Sequence, residues 1–172
     1  AIRLYERFGF RQTYTSTAMV LDWARAELLE REPMDIAARF IDPEEESALE
    51  AAFEKPSGRL RQLRARTGML LLRLVDPARP DEQRVAIAAF DPQFPGAPLF
   101  AVARPALAAP LLDAIRPHAR PGDTSTFLLV EADPATDALL RAAGARVRLE
   151  LLHMRGEIPR PGRAVWLLTA GG

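Results

Sequence analysis

Few side chains in this sequence have the type and spacing of chemical machinery. There is no cysteine, which excludes thiolate nucleophiles, cysteine metal sites and disulfides. The two histidines, His118 and His153, lie far apart, and neither has an acidic or histidine partner at ligand spacing, so a metal centre is not expected. Ser47, Ser57 and Ser125 lack the strand–turn–helix context of a nucleophile elbow. Glu131 and Asp133 stand just ahead of a helix start, the place of an ordinary capping cluster. Arg59, Arg61, Arg64 and Arg66 resemble a basic patch, but no aromatic residue interleaves for base stacking, and they read as a solvated helix face. Tyr5 lies on a short amphipathic helix, where an aromatic reads first as a half-buried packing residue.

The whole chain bounds the chemistry further. Its 172 residues are enough for one domain with a core and a short appendage. With 48% hydrophobic residues the chain is globular, and 23 Lys+Arg against 23 Asp+Glu give no global attraction for nucleic acid or an anionic membrane. Lys55 is the only lysine, and the arginine, alanine and proline usage resembles coding from a GC-rich bacterial genome. The first residues lack a leader pattern, no apolar run approaches the roughly 20 residues of a membrane span, and a cytoplasmic setting is expected.

The elements that would hold these side chains centre on residues 135–154. Asp133 caps a helix with Pro134 at its first position, and Ala138, Leu139, Ala142 and Ala143 form one apolar face. Gly144 sits where a left-handed helix end is needed; Leu140 is expected inside. Val147, Leu149 and Leu151 then alternate with Arg146, Arg148 and Glu150, the period of a half-buried strand. Residues 1–19 repeat the unit: sliding Gly9 onto Gly144 places Leu4 on Leu139, Tyr5 on Leu140, Arg11 on Arg146 and Met19 on Met154.

Ala1, Leu4, Tyr5, Glu6, Gly9 and Phe10 spell A-x-x-L-Y-E-x-x-G-F. This resembles the last helix-to-strand motif of the GNAT superfamily, the Gcn5-related N-acetyltransferases. The resemblance implies that Tyr5 would be a general acid near the thiol end of coenzyme A, beside a bound thioester and amine. It also implies that most of a first acetyltransferase domain would precede this motif. The expected organisation is therefore a remnant of that domain at 1–22, a linker helix at 23–33, and a second, degenerate domain at 34–172.

From Asp35 the patterns run strand, two helices (the first opened by Asp42-Pro43 with Glu45), strands at 69–75 and 84–90, a proline-rich loop at 91–98 and a strand at 99–103. A helix follows with Leu107, Leu111, Leu112 and Ile115 inward, then a strand at 125–131, the opening unit, and a possible edge strand at 164–168. The fold class expected is mixed α/β: a mostly antiparallel sheet, one parallel β-α-β crossover, and helices on both faces. This is the order of the acetyltransferases, which implies a sheet splayed between 99–103 and 125–131 for acetyl-coenzyme A, with Glu131 and Asp133 where that family's base could stand.

In the family the helix after the splayed strand opens R/Q-x-x-G-x-G/A, with backbone amides on the pyrophosphate. The matching stretch is Arg104-Pro105-Ala106-Leu107-Ala108-Ala109. Arg104 and Ala109 fit as cofactor-binding positions. Leu107 replaces the glycine and Pro105 removes a donor, which indicates a cofactor loop that has lost its function. Two functions follow: part of an N-acetyltransferase acting on a small-molecule or peptide amine with its catalytic half upstream, or a non-catalytic module for ligand binding or subunit pairing. A strand at 11–21 left unpaired would expose its backbone groups, so the arm is expected to dock on its own domain, pair with the arm of another copy, or fray; a homodimer is favoured.

Overall fold

The computed structural model describes residues 2–31 and 35–156. Thr15–Leu151 form one compact unit, and the described residues outside that range form another. The strand-like run 164–168 lies outside the described residues.

In the larger unit, β-branched and leucine-rich runs separated by turn residues give an antiparallel meander: β2 (Ala37–Phe40), β3 (Leu70–Val75), β4 (Ala86–Asp91) and β5 (Gly96–Val102). Helix α5 (Ala108–Ile115) crosses over to β6 (Ser125–Glu131), which lies parallel to β5. Helix α6 (Pro134–Ala142) and strand β7 (Arg146–Arg155) follow. The sheet order is β2-β3-β4-β5-β6-β1-β7, where β1 is Arg11–Asp22. This is the mixed, mostly antiparallel sheet with one parallel pair that the sequence implies.

Both faces are covered, which is why β3 and β4 read as continuous apolar runs. On one face α5 buries Leu111, Leu112 and Ile115 against Leu72, Phe90, Phe100 and Leu128. On the other, α3 (Glu46–Ala52) and α4 (Arg59–Arg64) bury Leu49, Leu60 and Leu63 against Leu71, Ile87 and Leu99. The Asp42/Glu45 capping box forms as its sequence pattern implies. The arginines of 59–66 are not all solvated: Arg64 Nε donates to buried Glu46 at 2.6 Å, and its NH2 to the Ile41 carbonyl at 2.7 Å. Buried Glu50 accepts from the Gly58 and Leu60 amides at 2.7 and 2.6 Å, so a carboxylate from α3 caps α4.

Four expectations need correction. The N-terminal arm is no unpaired strand: residues Ser16–Asp22 of β1 pair antiparallel with β6, and Met19 and Leu21 are fully buried. This half of the strand docks on its own domain, one of the three outcomes expected of the arm, and its backbone no longer calls for pairing with another copy. Second, among the described residues of the stretch 23–33 only one turn is helical, α2 (Trp23–Ala26), and Trp23, Ala26 and Leu29 enter the core. Its charge density hid an i, i+3, i+6 apolar stripe. Third, Pro98 lies inside β5 rather than in a loop; register shifts in the ladders on both sides of it remove the need for a regular amide there. Fourth, α6 buries Thr136 and Leu140, with Leu139 and Ala143 packed on the core, whereas Ala138 and Ala142 are exposed.

The smaller unit holds α1 (Ile2–Arg7), none of whose residues is buried, and Gly9 at φ +81°. There Thr13 Oγ1 donates to the His153 carbonyl at 3.0 Å, and the Tyr14 and His153 rings stack 4.1 Å apart.

Candidate functional site

The crossover β5–α5–β6 carries the residues on which acyl transfer would depend. The turn after β5 begins at Arg104, whose backbone is extended, and continues as a 3-10 turn, Pro105–Leu107, into α5. Leu107 is 3% exposed and belongs to the core on the α5 face. Its amide donates to the Arg104 carbonyl at 3.0 Å, and the Ala108 amide to the Pro105 carbonyl. Pro105 has no amide, and neither does Pro110 in the first turn of α5. A helix start that binds a pyrophosphate presents free amides at its mouth. Here two prolines lack them and two further amides are spent inside the turn, so the residues present do not fit the group. Ala109, the second expected cofactor position, is buried in the core; Arg104 is exposed.

Arg104 lies on the lip of a cleft of about 550 Å³ between the turn after β5 and the β3–β4 connection. Asp35, Asp76 and Glu82 face Arg79, Arg84 and Arg104 there, and Arg79 is held by Asp76 at 2.9 Å. Acidic and basic groups balance, which is not the field a polyanion selects.

The parallel strands stay paired from Gly96 and Phe127 to Phe100 and Val130, with one register shift. The ladder is interrupted at Pro98 and Leu99 and ends at Phe100, two residues before the end of β5. At the other end Gly96 makes the close approach possible, because a Cβ there would lie 2.9 Å from Phe127 Cβ.

Glu131 ends β6, opposite the buried Ser16 of β1. Lys55 Nζ donates to its Oε2 at 2.9 Å, and the two side chains are only 10% and 12% exposed. The chain's single lysine thus neutralises the carboxylate at the end of the crossover. The backbone is strained on both sides of this pair. Glu54 (φ +53°) and Ala132 (φ +54°) are the two non-glycine residues with positive φ among the described residues. Glu54 closes α3: its amide bonds to the Ala51 carbonyl at 3.2 Å and that of Lys55 to the Glu50 carbonyl at 2.7 Å, a helix end where glycine is usual. Ala132 turns the chain out of β6, its amide donating to the Thr15 carbonyl at 2.9 Å. Asp133 accepts from the Thr136 amide at 3.0 Å and caps α6, so of the two acidic candidates only Glu131 meets a cation here.

Lys55 escaped sequence reasoning. Its one signal was its solitude in a chain whose other cations are arginines. Tyr5 lies outside the larger unit, 51% exposed, its ring edge-on to Phe10 at 5.9 Å. His118 lies beside Phe40, ring centroids 5.7 Å apart, and among the described residues no three of His, Asp and Glu cluster to hold a metal. No described helix is long and apolar enough to cross a membrane.

No family model and no curated protein matches the sequence. Solved structures do. A Drosophila protein superposes with a TM-score of 0.60 at 18% identity, over 91% of this chain and 57% of that one. A GCN5-related N-acetyltransferase from Sphaerobacter thermophilus gives 0.50 at 23% identity, over 90% and 55%. Another from Kribbella flavida gives 0.57 at 7% identity, over 90% and 40%. The chain has the fold of the GCN5-related N-acetyltransferases. It spans about half the length of these structures.

Proposed function

We propose that this chain is the non-catalytic acetyltransferase-fold part of a longer N-acetyltransferase, one that moves an acetyl group from acetyl-coenzyme A to a small-molecule or peptide amine in the cytoplasm. In this reading residues 1–22 close an upstream domain that carries Tyr5 as its acid, residues 23–33 connect, and residues 34–172 form the degenerate domain. The second half of β1 is then shared, because it also lies in the sheet of this domain. The observation that carries the proposal is the turn at 104–109, where Leu107 is locked into the core and its amide and that of Ala108 are already bonded. The Lys55–Glu131 pair supports it, since one oxygen of the carboxylate at the end of the crossover is already engaged by an internal ammonium.

The test is amide chemical-shift mapping of the ¹⁵N-labelled chain during titration with acetyl-coenzyme A. No saturable shift is expected at residues 104–109. Saturable shifts at Ala106, Ala108 and Ala109 would overturn the proposal.

A further inference from the structure

β7 is the outermost strand at one end of the sheet, and among the described residues its far edge has no neighbouring strand. An edge of this length leaves a row of amides and carbonyls open to pairing. Over residues 146–151 the two faces of the strand differ in kind. On one, Leu149 is 52% and Leu151 37% exposed, with Val147 half-buried beside them. On the other stand Arg146, Arg148 and Glu150. Arg146 is held by Asp22 at 2.8 Å, and Glu150 Oε1 accepts from Arg141 at 2.8 Å, leaving its second oxygen for another donor. Arg148 has no ion-pair partner among the described residues.

This pattern is complementary to itself. Antiparallel pairing of two copies of β7 about a two-fold axis at Leu149 sets Val147 opposite Leu151, Leu149 opposite its own copy, and Arg148 opposite Glu150 twice. Directly opposed residues share a face, so the apolar side chains meet one another and the opposite charges meet one another. Moving the axis one residue either way places Arg148 on Arg148 or Glu150 on Glu150, and half-residue slips set apolar residues against charged ones. One register satisfies both faces. The opposite edge, β2, offers no such pattern: it has four residues, and its Arg39 is engaged by Glu45.

We propose that two copies of the chain pair through β7, antiparallel and centred on Leu149, into one continuous sheet with an isologous interface. Pairing of a single edge buries less than a standard stable interface, so the dimer is weak and concentration-dependent. The interface is independent of whether the domain binds acetyl-coenzyme A.

Charge exchange tests it in sedimentation velocity experiments on the full chain, up to high micromolar concentration. The unmodified chain shows reversible dimerisation. Arg148→Glu sets acidic groups against each other twice and weakens association at least tenfold; Glu150→Arg does the same with basic groups. The double exchange, R148E with E150R, restores the dimer. Because Arg148 has no ion-pair partner among the described residues, R148E keeps the monomer fold, as circular dichroism will show, and it remains informative should E150R alone fold poorly. A chain that stays monomeric throughout overturns the proposal, and so does a dimer indifferent to R148E.

Discussion

Glu45 serves three groups at once. Its carboxylate holds Arg39, caps the chain at Asp42, and accepts from Arg73 Nη1 at 2.7 Å. Arg73 is 1% exposed in the middle of β3, and burial pushes its pKa down. The Arg39 guanidinium, the Asp42 amide and the nearby Arg73 charge hold the Glu45 carboxyl at about 2 against the pull of partial burial. Glu45→Gln should therefore cost about 3 kcal/mol in denaturant unfolding, because Arg73 is left buried with its charge uncompensated. A carboxyl whose folded pKa lies below its unfolded value of 4.5 stabilises the fold above that pH, and the contribution drains away as pH falls toward 2. The unfolding free energy of Glu45→Gln should accordingly fall less between pH 5 and 2 than that of the unmodified chain. The same logic governs Lys55: Lys55→Met should cost about 3 kcal/mol, and adding Glu131→Leu should recover most of it. A loss in the double variant equal to the sum of the two single losses would mean the pair is not coupled. Relief of strain works the other way, and Glu54→Gly should gain up to about 1 kcal/mol in melting experiments. The capping role of Glu45 was legible in the sequence because Asp42-Pro43-x-Glu45 is local. Its partnership with Arg73 was not, since that needs the β2–β3 register that sets Arg39 against Arg73.

At the scale of elements, the helix–glycine–strand unit carried the most readable signal. Gly144 has φ +96° as expected, and Gly9, its counterpart in the repeat, has φ +81°. Gly144→Ala should cost about 1 kcal/mol from the backbone alone, since the nearest side-chain atoms, of Arg25, lie 3.7 Å away in open contact. Leu140, fully buried at the position matching exposed Tyr5, should cost several kcal/mol as Leu140→Asp, about 3 or more. Gly96→Ala should be worse than Gly144→Ala, because its Cβ would meet Phe127 inside the sheet. Periodicity identified β1, β3, β4, β6 and β7 because each obeys a local rule. It could not say that β1 inserts between β6 and β7, since strand neighbours are chosen by the whole sheet. The short α2 was misread because buried Trp23, Ala26 and Leu29 are spaced among charges.

At the scale of the molecule, two apolar layers enclose a sheet whose order is that of the acetyltransferases, and its crossover turn is closed by Leu107 and two prolines. That closure was legible in residues 104–109 alone, because proline and a bulky side chain act on the backbone locally. The internal cation on Glu131 was not, because Lys55 reaches it across 76 residues of sequence. The proposed function requires that this domain leave acetyl-coenzyme A unbound. Isothermal titration of the full chain with acetyl-coenzyme A measures it directly. Heats no larger than dilution, into the millimolar range, are expected; a saturable isotherm with a micromolar Kd would overturn the proposed function.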